Sequence, residues 1–201
     1  MLKSRQPPAD NAGVMRSLAL ALLLLSGLFF LPSAGPMPRG TEEFTLGMPR
    51  VELEALLAKR GIDRISESNG VLATETDRAG AEFERYAFVR SPRDNVMVLW
   101  QAVTGYDFPT DLAEFDRVAT GVERWLGPAT ETRGEFDRNG DPVGLHEKLW
   151  AGGDFTVQLG ARWSEQPDPR TDRMLLTWTD LRLSRIAKAY VARSKAARAG
   201  K

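Results

Sequence analysis

The chain has 201 residues, 42% hydrophobic and 27% charged, an ordinary globular balance with enough apolar side chains for a real core. Its formal net charge of zero hides +3 over residues 1–40, −10 over 41–181 (16 bases against 26 acids) and seven bases with no acid from Arg182 to Lys201, an acidic body with a basic tail that argues against a wholesale nucleic-acid binder. The lack of any cysteine excludes disulfides, thiolate zinc sites, a cysteine nucleophile and a lipidated N-terminal cysteine, and a single histidine, His146, excludes sites built on two or more.

In chain order, the first element is an address. From Met15, "MRSLALALLLLSGLFFLPSAGP" shows one base, an apolar run from Leu18 to Leu31, then small residues at Ser33, Ala34 and Gly35. The run is about 14 residues, or roughly 21 Å as a helix. Against a membrane core of about 30 Å it is short for a stable span and suits the apolar region of a signal peptide. Residues 1–34 are therefore expected to be a signal peptide or an N-terminal anchor, with Met15 as a candidate true start. Either way the body is expected outside the cytoplasm, periplasmic or in the cell envelope, or held at the inner membrane by residues 15–34. Export without cysteine fits a bacterial envelope better than a disulfide-stapled secreted domain.

A linker follows at 35–40, then the first of two repeats, 41–106. "TLGMPRVELEALLAKRG" predicts a helix, with Pro49 suited to its first position, Gly61 to the left-handed residue after its last turn, and an apolar stripe of Leu53, Leu56 and Leu57 flanked by Val51 and Ala55. Strands are expected at 62–67, 71–76, 81–90 and 96–104, with turns at Ser68-Asn69-Gly70 and 91–95. The second repeat, 107–183, restarts the order. Asp111 with Glu114 three residues on predicts a helix start, Leu112, Phe115, Val118, Ala119, Val122 and Leu126 its stripe, and Gly127-Pro128 its stop, with Gly121 as a candidate break. Strands are expected at 129–137, 142–150, 155–163 and 174–183, joined by Asn139-Gly140, by "AGGD" and by a polar loop at 164–172.

The stretch "FDRNGDPVG" spaces Asp137, Asn139 and Asp141 like the first oxygen ligands of a calcium loop. Such a loop needs Gly at its sixth position and a bidentate Glu at its twelfth, where this chain has Pro142 and Lys148. Asn-Gly between alternating strands is instead a hairpin signal, because both residues tolerate the positive φ of a type I′ turn. The turn reading is preferred, and no metal site is expected.

The helix segment "TLGMPRVELEALLAKRG", with "VERWLGPATE" as a weaker second copy, resembles the glycine-methionine-led helix of beta-lactamase-inhibitor-like proteins and of the SmpA/BamE type of outer-membrane assembly proteins. The likeness covers about 25 residues, without the lipobox cysteine and with one helix per repeat in place of a helical hairpin. It implies a non-catalytic binding role.

Few residues announce chemistry. No G-x-S-x-G, P-loop or dinucleotide fingerprint is present. Along "VGLHEKLW" the set Val143, Leu145, Glu147, Leu149 alternates with Gly144, His146, Lys148, Trp150. The apolar set is expected to face the core, which puts His146, Lys148 and Trp150 on an open sheet face as a candidate binding spot, since aromatics among polar groups anchor interfaces. A catalytic histidine needs a nucleophile and an orienting carboxylate, for which Glu135 and Asp180 are the candidates. Trp163 shares a face with Phe155, Val157, Leu159 and Ala161 and is expected in the core. The tail 184–201 is expected to form a short amphipathic helix, with Arg185, Lys188, Arg193, Lys195 and Arg198 available to an anionic membrane surface.

These readings predict an α+β fold: a duplicated helix-plus-four-strand unit making one antiparallel sheet, with both helices on one face. The expected function is that of an exported, non-enzymatic envelope protein that binds a protein or peptide partner through the open face, without a cofactor. The alternatives are a hydrolase using His146 with carboxylates and a carrier of an apolar ligand.

Overall fold

Each repeat begins with a helix whose ends are written locally. A computed structural model describes residues 36–62, 65–68, 70–76, 80–107, 109, 111–163 and 173–199. The proposed signal segment, Asn69 and the loop 164–172 lie outside the described residues. Helix α1 (Arg50–Lys59) starts after Pro49 and ends at Gly61, whose φ of 76° lets Ile62 N–H donate to the Leu57 carbonyl at 3.1 Å. Helix α2 (Leu112–Leu126) is capped by Asp111, whose carboxylate accepts from Glu114 N–H at 2.8 Å, and stops at Gly127, φ 81°. Gly121 does not break it; the helix runs through, because the buried stripe of Phe115, Ala119, Val122 and Leu126 holds both halves on the sheet.

The strands are β1 (Ile65–Ser68), β2 (Val71–Glu75), β3 (Ala81–Arg90), β4 (Met97–Tyr106), β5 (Glu131–Phe136), β6 (Pro142–Gly152), β7 (Phe155–Trp163) and β8 (Met174–Asp180). They form one sheet in the order β1-β2-β3-β4-β8-β7-β6-β5, every neighbouring pair antiparallel. Two meanders thus meet at the β4–β8 pair, from Gln101↔Thr179 to Tyr106↔Met174. The predicted α+β class, antiparallel sheet and repeated helix-plus-four-strand order are all present.

Helices α1 and α2 cover the same face. Leu53 and Leu57 from one and Phe115, Ala119, Val122 and Leu126 from the other enter a single core with Leu72, Tyr86, Leu99, Trp150, Val157, Leu159 and Trp178. Phe44, on the segment leading into α1, sits between the two halves, 6.0 Å from the Tyr86 ring and 5.8 Å from Trp178.

The last strand ends earlier than its sequence suggests. Leu181–Leu183 belong to a third helix, α3 (Leu181–Ala199), which follows β8 without a break. Asp180 makes the switch: its carboxylate accepts from Leu183 N–H at 2.8 Å and from Arg39 at 2.6 Å. Leu183 packs with Val89 and Val98, beside Trp100, Ile186 and Ala187. Val89 and Val98 alternate with the core residues Phe88 and Leu99, so α3 lies on the face opposite α1 and α2. The sheet face expected to be free of helices is therefore covered at one end.

Candidate functional site

Strand β6 carries the residues singled out from sequence, and its pairing turns them the other way. His146 opposes Ala161, Lys148 opposes Leu159 and Trp150 opposes Val157, and those β7 residues are core. His146, Lys148 and Trp150 thus lie under α2, while Val143, Leu145, Glu147 and Leu149 face the opposite side, with Val143 and Leu145 exposed. The reversal has a physical cause. β7 has one unambiguous apolar face, and a one-residue slip of β6 against it would exile Trp150, the largest apolar surface on the strand.

Each of the three makes a polar contact on the helix side. Trp150 is fully buried and donates its indole N–H to the Gly127 carbonyl at 2.9 Å. Lys148 reaches the α2 carboxylate Glu123 at 3.1 Å and lies 3.8 Å from Asp116, its stem covered by the helix. His146 is sandwiched between Phe136 and Trp163, ring centroids at 5.0 and 4.9 Å, and its Nε2 donates to the Glu135 backbone carbonyl at 2.7 Å. Gly134 approaches so closely that a Cβ there would stand 2.5 Å from Nδ1. This environment locks a ring into a core. The neighbour Glu135 offers His146 its backbone, and Asp180, the other carboxylate considered, is spent on Arg39 and the start of α3. The layer between helices and sheet holds Trp150, Trp178, Tyr86 and leucines that are all nearly inaccessible.

The open part of the opposite face is where unspent surface lies. One cross-strand row runs Arg133–Glu147–Gly160–Leu175–Gly105–Phe83–Glu75, each residue in register with the next. Two glycines make its floor low. The Phe83 ring lies over Gly105, where a Cβ would stand 2.3 Å from it, and Leu145 flanks Gly160. Leu145 and Leu175 remain 39% and 37% exposed on either side of Gly160. An apolar band of Phe83, Leu175 and Leu145 results.

Its rim is polar and preorganised. Arg85 stacks over Phe83 at 4.4 Å. At the other end Arg133 donates to Glu131 at 2.6 Å and Glu147 at 3.1 Å, and Gln158 donates to the second Glu147 oxygen at 2.6 Å. The Glu131 carboxylate, and behind it Glu147, raises the already high Arg133 guanidinium pKa further, so this cation stays charged. Beyond the band a shallow depression of about 410 Å³ opens around Ala73 and Phe83. The strand β5 closes the sheet with all six residues exposed.

Chemically this surface can recognise and hold, through apolar contact flanked by fixed hydrogen-bonding groups. Sequence reasoning passed over Leu145 and Leu175 because each reads as core in isolation. The signal that finds them is register: aligning β6 on the apolar face of β7 turns Leu145 outward, and Gly160 and Gly105 then mark the trough. No family model, curated protein or solved structure matches this chain.

Proposed function

We propose that the protein is a non-enzymatic binding module of the bacterial cell envelope, exported by its N-terminal segment, that takes a protein or peptide partner on the open sheet face. The observation that carries this reading is the apolar band of Phe83, Leu175 and Leu145 over Gly105 and Gly160, with the two leucines exposed and Phe83 half-buried, between polar groups already locked in place. Contiguous apolar surface rimmed by polar residues marks interaction sites on soluble domains. The side chains that hold the rim are ordered before a partner arrives, which lowers the entropic cost of binding. A band made of side chains, with no nucleophile–base pair in it, suits recognition and not turnover. The helix-led repeats of the sequence resemblance support the same non-catalytic role.

The test is capture from envelope extracts with wild type and with Leu145→Glu/Leu175→Glu as baits. Both substitutions sit at exposed positions, so folding is retained, checked by far-UV circular dichroism. The expected result is one or a few partners enriched by wild type and reduced at least tenfold by the double variant, as loss of two central contacts of about 1 kcal/mol or more each implies. Identical capture by both baits removes the face from the proposal. Localisation is read separately, by fractionating cells that express the full chain.

A further inference from the structure

Helix α3 is packed at its first turns and, among the described residues, largely exposed after them. Leu183, Ile186 and Ala187 seat it on Val89, Val98 and Trp100. From Lys188 onward residues 188–193 and 195–197 are exposed, including Tyr190 at 65% and Val191 at 51%. Those two continue the packed stripe of Leu183, Ile186 and Ala187 by helical spacing, so the stripe runs past the last side chain that covers it. The helix carries no acid, and its sequence from Lys188 holds Lys188, Arg193, Lys195 and Arg198. Twelve residues of helix extend about 18 Å.

A second observation says what lies near. The chain enters the fold at the root of this same helix. Arg39 pairs with Asp154 and with Asp180, the residue that starts α3, and Asp154 accepts Leu181 N–H through its carbonyl at 2.9 Å. Upstream of Arg39 is the apolar run that ends at Leu31. The seven intervening residues span at most about 25 Å. That span bounds the tether between the run and Arg39.

We infer that the distal part of α3, from Lys188 on, docks on an anionic phospholipid surface, with Lys188, Arg193 and Lys195 on the headgroup charge and Tyr190 and Val191 at the headgroup–acyl boundary. The placement rests on the proposed membrane engagement of residues 15–34; the charge and the exposed apolar residues of α3 do not. Each base near such a surface contributes about 1 kcal/mol, so several on one helix supply appreciable affinity. One weak tether plus one basic helix is the two-signal arrangement that stable peripheral attachment requires.

The absence of native cysteine makes the test clean. The full chain carrying Val191→Cys, labelled with a polarity-sensitive fluorophore, is added to vesicles of phosphatidylcholine alone and of phosphatidylcholine with phosphatidylglycerol. The expected result is a blue shift only on the phosphatidylglycerol vesicles, reversed by 1 M salt. Adding Lys188→Gln, Arg193→Gln and Lys195→Gln weakens docking about fivefold per charge, on the order of 100-fold together. Flotation with phosphatidylcholine vesicles reads the N-terminal segment by itself. Flotation without a charge-dependent blue shift overturns the α3 inference and leaves the N-terminal reading standing; a salt-sensitive blue shift without flotation does the reverse. A blue shift in lipid-free protein that grows with protein concentration seats the helix on the acidic body of a second copy and also overturns the inference.

Discussion

Two glycines show how much a single position carries. Gly134 lies against the His146 ring, and a methyl group there meets Nδ1 and Cε1 at 2.5 and 2.7 Å. The ring has no room to retreat between Phe136 and Trp163. Gly134→Ala is expected to lower stability by about 1–3 kcal/mol, read from the urea midpoint, the usual effect of overpacking. Gly140 is needed for a different reason, its φ of 87°. The loop is not the two-residue turn that Asn139-Gly140 suggests: Asn139 does not share the positive φ, and Gly140 N–H donates to the Asp137 carbonyl at 3.2 Å in a three-residue loop ending in the left-handed glycine. Asp137 holds the loop from inside, its carboxylate accepting from Asn139 N–H at 2.8 Å and Asp141 N–H at 2.9 Å. The Asp141 bond first, then that of Asn139, keeps this carboxyl below the ordinary carboxylate range. Its stabilising contribution is therefore present above the unfolded pKa of about 4 and disappears as pH falls through the lower folded value. Comparing wild type with Asp137→Ala across pH 2–7 checks the sign: the gap in midpoint is full at neutral pH and closes in acid. Gly140→Val is expected to cost about 1–2 kcal/mol, and neither wild type nor variant is expected to shift its thermal midpoint with calcium against chelator.

At the scale of elements, α3 divides into two parts with different duties. Asp180 is nearly inaccessible, accepts both the Leu183 amide and Arg39, and joins the last strand to the helix. Asp180→Ala leaves the buried Leu183 amide without its acceptor and Arg39 with Asp154 in place of two carboxylates, and is expected to cost about 1–3 kcal/mol. Truncation after Ala187 removes only surface from the fold and is expected to change stability by no more than about 0.5 kcal/mol. Chemical denaturation of the two variants beside wild type measures both. A large loss on truncation would show that the distal helix belongs to the fold. Strand β6 makes the complementary point, since the side it shows to solvent was settled by β7 and not by its own alternation.

Across the whole molecule the two repeats are not two cores. Trp178, from the second half, packs against Phe44 of the first, against Trp125 of α2 at 5.3 Å and parallel to Phe155 at 6.4 Å. The β4–β8 pair makes one sheet of the two meanders, and one cluster of buried side chains spans both. Unfolding is expected to be a single cooperative transition, with tryptophan fluorescence and far-UV circular dichroism superimposing. Trp178→Ala is expected to cost about 3–5 kcal/mol and to lower amide-exchange protection in both repeats together. Loss confined to the second half would mean that each repeat stands alone.

Local signals were sufficient wherever a residue acts on its own neighbours. Asp111, Gly61 and Gly127 bound the helices, Phe155 to Trp163 alternate without ambiguity, and the helix-then-meander order implies segregated layers, because each of these is a short-range steric or hydrogen-bonding requirement. Long-range pairing decided the rest. Both sets of β6 alternate well enough to be core, and only the face of β7 chose Trp150 over Leu145. Leu181–Leu183 continue the apolar pattern of β8 and turned helical because Asp180, held by Arg39 from more than a hundred residues away, caps them. The candidate site lay beyond sequence for the same reason: its band is assembled from β3, β8 and β6 over glycines of β4 and β7, and no single segment contains enough of it to be seen.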